Sequence, residues 1–129
     1  MSGLLLDTNA FAMALTGDAR LPEAARVRIE TADRAALSVI TFYEIGQKVR
    51  LGKWPAMAPH APGLIDLARE DGFDLIPLTP AAALEASLMD WDHRDPFDRM
   101  IATVARHEGL PVVSSDAAFD ALAVGRIWY

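Results

Sequence analysis

Gly3-Leu4-Leu5-Leu6-Asp7-Thr8-Asn9-Ala10-Phe11-Ala12-Met13-Ala14-Leu15-Thr16-Gly17 decides the fold class, because two structural periods meet inside it. A short apolar run ends at three residues whose side chains cap helices well. Phe11, Ala12, Ala14 and Leu15 then supply an apolar helical face before Gly17. The stretch reads as a strand passing directly into a helix, and outward from it the same alternation repeats. Leu21-Pro22 opens a second helix to about Ala32, with Pro22 suited to a first-turn position, and Ala35 to Ser38 is a second strand. Ser38 to Leu51 carries helical spacing through Ile45 and Val49, with Gly52 as a C-cap. Trp54 to Gly63 is the segment richest in proline, and it is expected to form a loop or a bent connection between helices. Gly63 to Asp71 reads as a helix, Phe73 to Leu78 as a third strand and Pro80 to Leu88 as a further helix. Asp95-Pro96-Phe97-Asp98 opens a helix to about Glu108 that Gly109 ends, and Leu110 to Ser114 is a fourth strand. Asp116 to about Leu122 supplies a last helical turn or two, and Arg126 to Tyr129 a fifth, terminal strand. Strands alternating with helices imply right-handed parallel crossovers. The expected architecture is therefore α/β: one α/β/α sandwich over residues 1–129, its short parallel sheet of four to five strands covered on both faces.

Composition narrows the function. A chain of 129 residues matches the size of one compact core. Apolar residues make up 52%, yet no uninterrupted apolar run approaches the roughly 18 residues of a membrane span. The N-terminus has no basic region and meets Asp7 after three leucines, so it does not read as a secretory signal. Without cysteine there is no disulfide and no thiolate metal site, which fits a soluble, cytoplasmic protein with no membrane partner. Any bound metal must use oxygen or imidazole. The net charge of −6 argues against a generic basic nucleic-acid binder, although metal-binding carboxylates give the same sign when their ion is left out of the sum. The positions of the acids therefore decide.

In open parallel sheets ligands bind beyond the carboxyl ends of the strands, where strand order reverses. Asp7 directly after the first strand and Asp116 directly after the fourth fall on the same edge. Each also reads as a helix N-cap, so neither is specific alone. Asp95 is the natural cap of its helix and Pro96 the first helical residue, which places Asp98 in the first turn. Asp98 could serve the helix dipole from the surface, but it shares a face with Ile101, Ala102 and Ala105, and a carboxylate at the edge of an apolar face is costly unless paired or metal-bound. Glu44 reads as an ordinary pair with Lys48 one turn on, or as a buried-edge acid among Ile40, Tyr43, Ile45 and Val49. His60, His93 and His107 read as surface residues on loops or helix ends, and no Ser-His or Cys-His pair competes for the chemistry.

Taken together, four segments resemble the signatures of PIN domains: Leu4-Leu5-Leu6-Asp7-Thr8-Asn9; Ser38-Val39-Ile40-Thr41 leading to Glu44-Ile45; His93-Arg94-Asp95-Pro96-Phe97-Asp98-Arg99-Met100-Ile101-Ala102; and Val112-Val113-Ser114-Ser115-Asp116. The resemblance covers nearly the whole chain and is strongest to VapC toxins of bacterial VapBC toxin-antitoxin pairs. It implies a magnesium-dependent ribonuclease, with Mn²⁺ able to replace Mg²⁺, in which Asp7, Glu44, Asp98 and Asp116 are the catalytic and metal-binding residues. It also implies Thr8 and Ser115 as neighbouring hydroxyls, an RNA substrate, a VapB-like antitoxin partner and a homo-oligomer, with a dimer favoured. The segment from Trp54 to Gly63 matches none of these signatures. Positive charge for RNA would come from Arg94 and Arg99 beside Asp98 and from Lys48, Arg50 and Lys53, which equally read as a solvated helix end. A receiver-like magnesium-binding signalling module would need an acid after the third strand and a late lysine. The chain has Leu75-Ile76-Pro77-Leu78-Thr79 there and no lysine after Lys53. An aspartyl phosphatase would need a second acid two residues after Asp7, where Asn9 stands. A catalytically silent PIN-like binding module is the remaining alternative.

Overall fold

The computed structural model describes residues 2–129. Five strands, β1 Gly3–Leu6, β2 Arg34–Ser38, β3 Asp74–Ile76, β4 Val112–Val113 and β5 Arg126–Ile127, form one parallel sheet in the order β3-β2-β1-β4-β5. Six helices flank it: α1 Thr8–Thr16, α2 Glu23–Thr31, α3 Ile40–Arg50, α4 Leu64–Glu70, α5 Pro80–Leu88 and α6 Pro96–Glu108. Among the described residues no helix is long and apolar enough to cross a membrane.

Strand β1 is central and its alternation divides the core. Leu4 and Leu6 join Leu37, Val113, Phe11, Ala25, Ile45 and Ala68 on the face covered by α1 to α4. Leu5 joins Ala36, Val112, Ile101, Ala102 and Ala105 on the face covered by α6. A strand buried on both sides has no polar alternation to keep, which explains the uninterrupted leucines. Helix α1 is bracketed by Asp7, whose side chain accepts from the Ala10 N–H at 2.8 Å, and by Gly17 in the left-handed region at φ 67°. Helix α6 is bracketed by Asp95 and by Gly109 at φ 66°, with Pro96 in its first turn.

Several expectations are adjusted by the backbone. Pro22 precedes α2 at the N-cap rather than occupying its first turn, and it offers no capping hydrogen bond. The β4 ladder starts at Val112, because Pro111 faces β1 and has no N–H to donate, and the β3 ladder stops at Ile76, just before Pro77 on the sheet's edge. The segment from Trp54 to Gly63 winds into two 3-10 turns, Pro55–Met57 and Ala61–Gly63, and buries Met57 in the core. After Asp116 the chain makes a 3-10 turn over Ala117–Ala121 instead of an α-helix. From β1 the chain adds β2 and β3 on one side, then crosses back to place β4 and β5 on the other. That reversal opens a crevice beyond the carboxyl ends of β1 and β4.

Candidate metal centre

Each of the four acids arrives at this crevice from a different element. Asp7 follows β1, Glu44 lies in the second turn of α3, Asp98 in the first turn of α6, and Asp116 three residues after β4. Asp7 and Glu44 are buried, Asp98 and Asp116 partly so. The tightest group is Asp98, Asp116 and His93, whose ligating atoms lie within 4.8 Å of one another. His93 Nε2 is 2.7 Å from Asp98 Oδ2 and 3.7 Å from Asp116 Oδ2. Asp7 and Glu44 adjoin this group without entering it: the Glu44 charge raises the pKa of both Asp7 and Asp98, and the Asp98 charge raises that of Asp7.

The electrostatics record the crowding. Burial, above all, pushes the Asp7 carboxyl up to about 7; the Ser114 hydroxyl and the Ala10 amide oppose the shift, and the charges of Asp98 and Glu44 add to it. Burial likewise holds Asp98 above its ordinary range, against the pull of His93 and with the push of Asp95 and Glu44. Glu44 is satisfied on one side only. Its Oε2 accepts from Lys48 Nζ at 2.6 Å, while Oε1 is buried with no hydrogen-bond partner among the described residues. An unpaired buried acceptor costs about 1–3 kcal/mol, more for a charged group, and a divalent cation beside it would remove that cost. The donor set is carboxylate oxygen plus one imidazole with no thiolate, which suits a hard or borderline ion such as Mg²⁺ or Mn²⁺.

The capping and catalytic readings of the acids turn out to be compatible. Asp7 Oδ1 caps α1 and Asp116 Oδ1 accepts from the Ala118 N–H at 2.9 Å, leaving a second oxygen on each carboxylate. Other expectations are corrected. His93, expected at the surface, is partly buried inside the acidic group. The sequence hint was its place five residues before Asp98, at the head of the segment that carries the signature. Thr8 is spoken for by a buried hydroxyl pair with Thr41 at 3.1 Å that ties α1 to α3. Ser115 is exposed, and buried Ser114 is the hydroxyl that joins the site, near enough to Asp7 to oppose the rise of its pKa and accepting from the Asp116 N–H at 3.0 Å. Arg99 does not face a substrate. Its guanidinium donates to the carbonyls of Ala86, Ser87, Met89, Trp91 and His93 at 2.6–3.4 Å. Lys48 pairs with Glu44 and lies 5.6 Å over the Trp54 ring, whereas Arg50, Lys53 and Arg94 are exposed.

A parallel α/β/α sheet with carboxylates gathered at its switch point defines the class, a fold carrying an acidic cluster suited to a divalent cation. The PIN domain profile matches residues 4–125, and the chain belongs to the PIN domain family. No curated protein matches the chain by sequence. Among solved structures the fold is similar to that of the sarcin-ricin loop cleaving toxin VapC20 of Mycobacterium tuberculosis, at TM-score 0.70 and 17% identity over 98% of this chain and 99% of that one. It is also similar to DNA-bound VapBC of Salmonella typhimurium, at TM-score 0.68 and 23% identity over 100% of both chains. A toxin-antitoxin complex from Klebsiella pneumoniae matches at TM-score 0.68 and 20% identity over 96% of this chain and 95% of that one.

Proposed function

We propose that this chain, read as one PIN domain over residues 1–129, is a metal-dependent ribonuclease. Mg²⁺ would be its ion and Mn²⁺ a substitute, with Asp7, Glu44, Asp98 and Asp116 as the catalytic and metal-binding residues. The observation that carries the reading is the buried, unpartnered Oε1 of Glu44 beside three further carboxylates at the switch point. A bound divalent cation supplies an acidified water and offsets the charge on a phosphate undergoing in-line displacement. Asp98 and Asp116 present oxygens from α6 and the β4 end, and Glu44 presents Oε1 from α3. Asp7, held by its cap, presents Oδ2, while the Ser114 hydroxyl anchors the Asp116 backbone N–H. Exposed Arg50, Lys53 and Arg94 supply positive charge for an RNA backbone despite the acidic total.

We extend the proposal to a VapC-type toxin restrained by a VapB-like antitoxin, which the similarity to toxin-antitoxin structures supports, and to a cytoplasmic homodimer, which the sequence resemblance implies. Exposed apolar side chains support the protein partners. Tyr43, packed on Phe97 at 6.1 Å beside the acidic end, is 60% exposed, and Leu84 and Leu88 on α5 are 62% and 74% exposed. The test is incubation of the purified chain with total RNA and Mg²⁺ or Mn²⁺. Cleavage that EDTA abolishes and that Asp98→Asn lowers by about a hundredfold or more is expected. Activity that survives both overturns the mechanism, and no cleavage under any metal favours a silent binding module.

A further inference from the structure

We infer that His93 is a nitrogen ligand of the divalent ion, so that this chain's site is a mixed imidazole-carboxylate centre that binds the substitute ion Mn²⁺ more tightly than Mg²⁺. The inference rests on the cation reading above and concerns a residue outside the four acids. Its first support is geometry: His93 Nε2 shares a 4.8 Å group with Asp98 and Asp116, 2.7 Å from one carboxylate and 3.7 Å from the other. An imidazole that served only to balance Asp98 would not need to reach Asp116. The second support is that the ring is delivered by a built device. Residues 89–95 contain no helix or strand, yet Arg99 gathers the Met89, Trp91 and His93 carbonyls onto α6. Trp91 packs against the His93 ring at a tilt of 49° with centroids 4.8 Å apart, and its Nε1 donates to the Ala118 carbonyl at 3.2 Å, pinning the same segment to the chain beyond β4. Both anchors lead to His93, one from each carboxylate's element. The third support is the buried Oε1 of Glu44, an acceptor with no hydrogen-bond partner among the described residues.

Donor chemistry gives the consequence. Mg²⁺ binds almost wholly through oxygen and keeps several waters, whereas Mn²⁺ accepts imidazole more readily and lies on the rising series of nitrogen affinity. His93 is the imidazole at this site; His107 pairs with Glu85 on another face. A nitrogen signal from bound metal therefore reports on His93. The experiment loads the full-length chain with Mn²⁺ or Mg²⁺, measures both affinities by calorimetry, and records pulsed electron paramagnetic resonance of the Mn²⁺ form. Wild type is compared with His93→Ala and His93→Gln. Wild type should show nitrogen coupling and bind Mn²⁺ more tightly than Mg²⁺. Both variants should lose the coupling and about tenfold or more in Mn²⁺ affinity, with Mg²⁺ affinity changed by less than about threefold. His93→Gln keeps a hydrogen-bond donor for Asp98, so a Gln variant with wild-type affinities would show that His93 only holds Asp98 and would overturn the inference. Bound Mn²⁺ without nitrogen coupling in wild type overturns it equally, even if both variants fold poorly. Wild type that binds neither ion overturns the cation reading itself, an outcome distinct from the other two.

Discussion

Asp7 shows how one residue can carry two roles that substitution separates. Its Oδ1 caps α1, which Asn also does, while its charge is resisted by burial. With a folded pKa of about 7 against an ordinary value of 3.8, the folded chain binds an extra proton between those values. In the metal-free protein the group therefore weakens folding progressively as pH rises from about 4 to about 7, by at most about 4 kcal/mol, and the loss is complete above 7. Asp7→Asn should remove that slope. In EDTA its urea midpoint should match or exceed wild type at about pH 8 and approach it at about pH 5. Asp7→Ala loses the cap as well and should be about 1 kcal/mol less stable than Asp7→Asn at both values. Equal pH slopes in wild type and Asp7→Asn would refute the assignment. The placement of Asp7 and Asp116 just beyond strand ends was legible in the sequence. The partners were not, because Ser114 rather than Ser115 turns inward only through the pleat of β4, and His93 enters through a loop folded by Arg99.

Helix α6 ties the far side of the core to the site, and buried and exposed positions on α6 and α5 predict different responses. Ile101 is fully buried against Leu5 and Ala36, so Ile101→Ala should cost about 2–5 kcal/mol in chemical denaturation. Leu88 at the end of α5 is 74% exposed, and Leu88→Ala should change the same midpoint by no more than about 0.5 kcal/mol in the isolated chain. A large effect at Leu88 would place it in an interface between copies. Gly109 closes α6 in the left-handed region, where a Cβ meets no neighbour but strains the backbone, and Gly109→Ala should cost about 1–2 kcal/mol. These helices were readable because cap, proline and glycine mark their ends in Asp95, Pro96 and Gly109. Strand ends were less so, since the β3 ladder stops at Ile76 and the β4 ladder starts at Val112 although the apolar runs extend beyond both.

At the scale of the whole molecule, metal and fold should be linked. An ion that binds only the folded chain raises stability by RT ln(1 + [L]/Kd), about 2.7 kcal/mol at a hundredfold excess over Kd. Thermal melts with Mn²⁺ should rise for wild type and much less for Asp98→Asn or Asp116→Asn, and identical shifts in all three would remove both acids from the site. The sequence alone determined the class of fold: the alternation of Gly3–Leu6 with the α1 pattern and its repeats implies a parallel sandwich, because local periodicity and caps are short-range properties of the chain. It also determined which acids follow strands and helix starts, hence which edge of the sheet they occupy. Only tertiary structure decided strand order, the switch point between β1 and β4, the unpartnered oxygen of Glu44 and the entry of His93 between Asp98 and Asp116. Those features depend on residues far apart in the chain meeting in space, with pairings and burial that no local window contains.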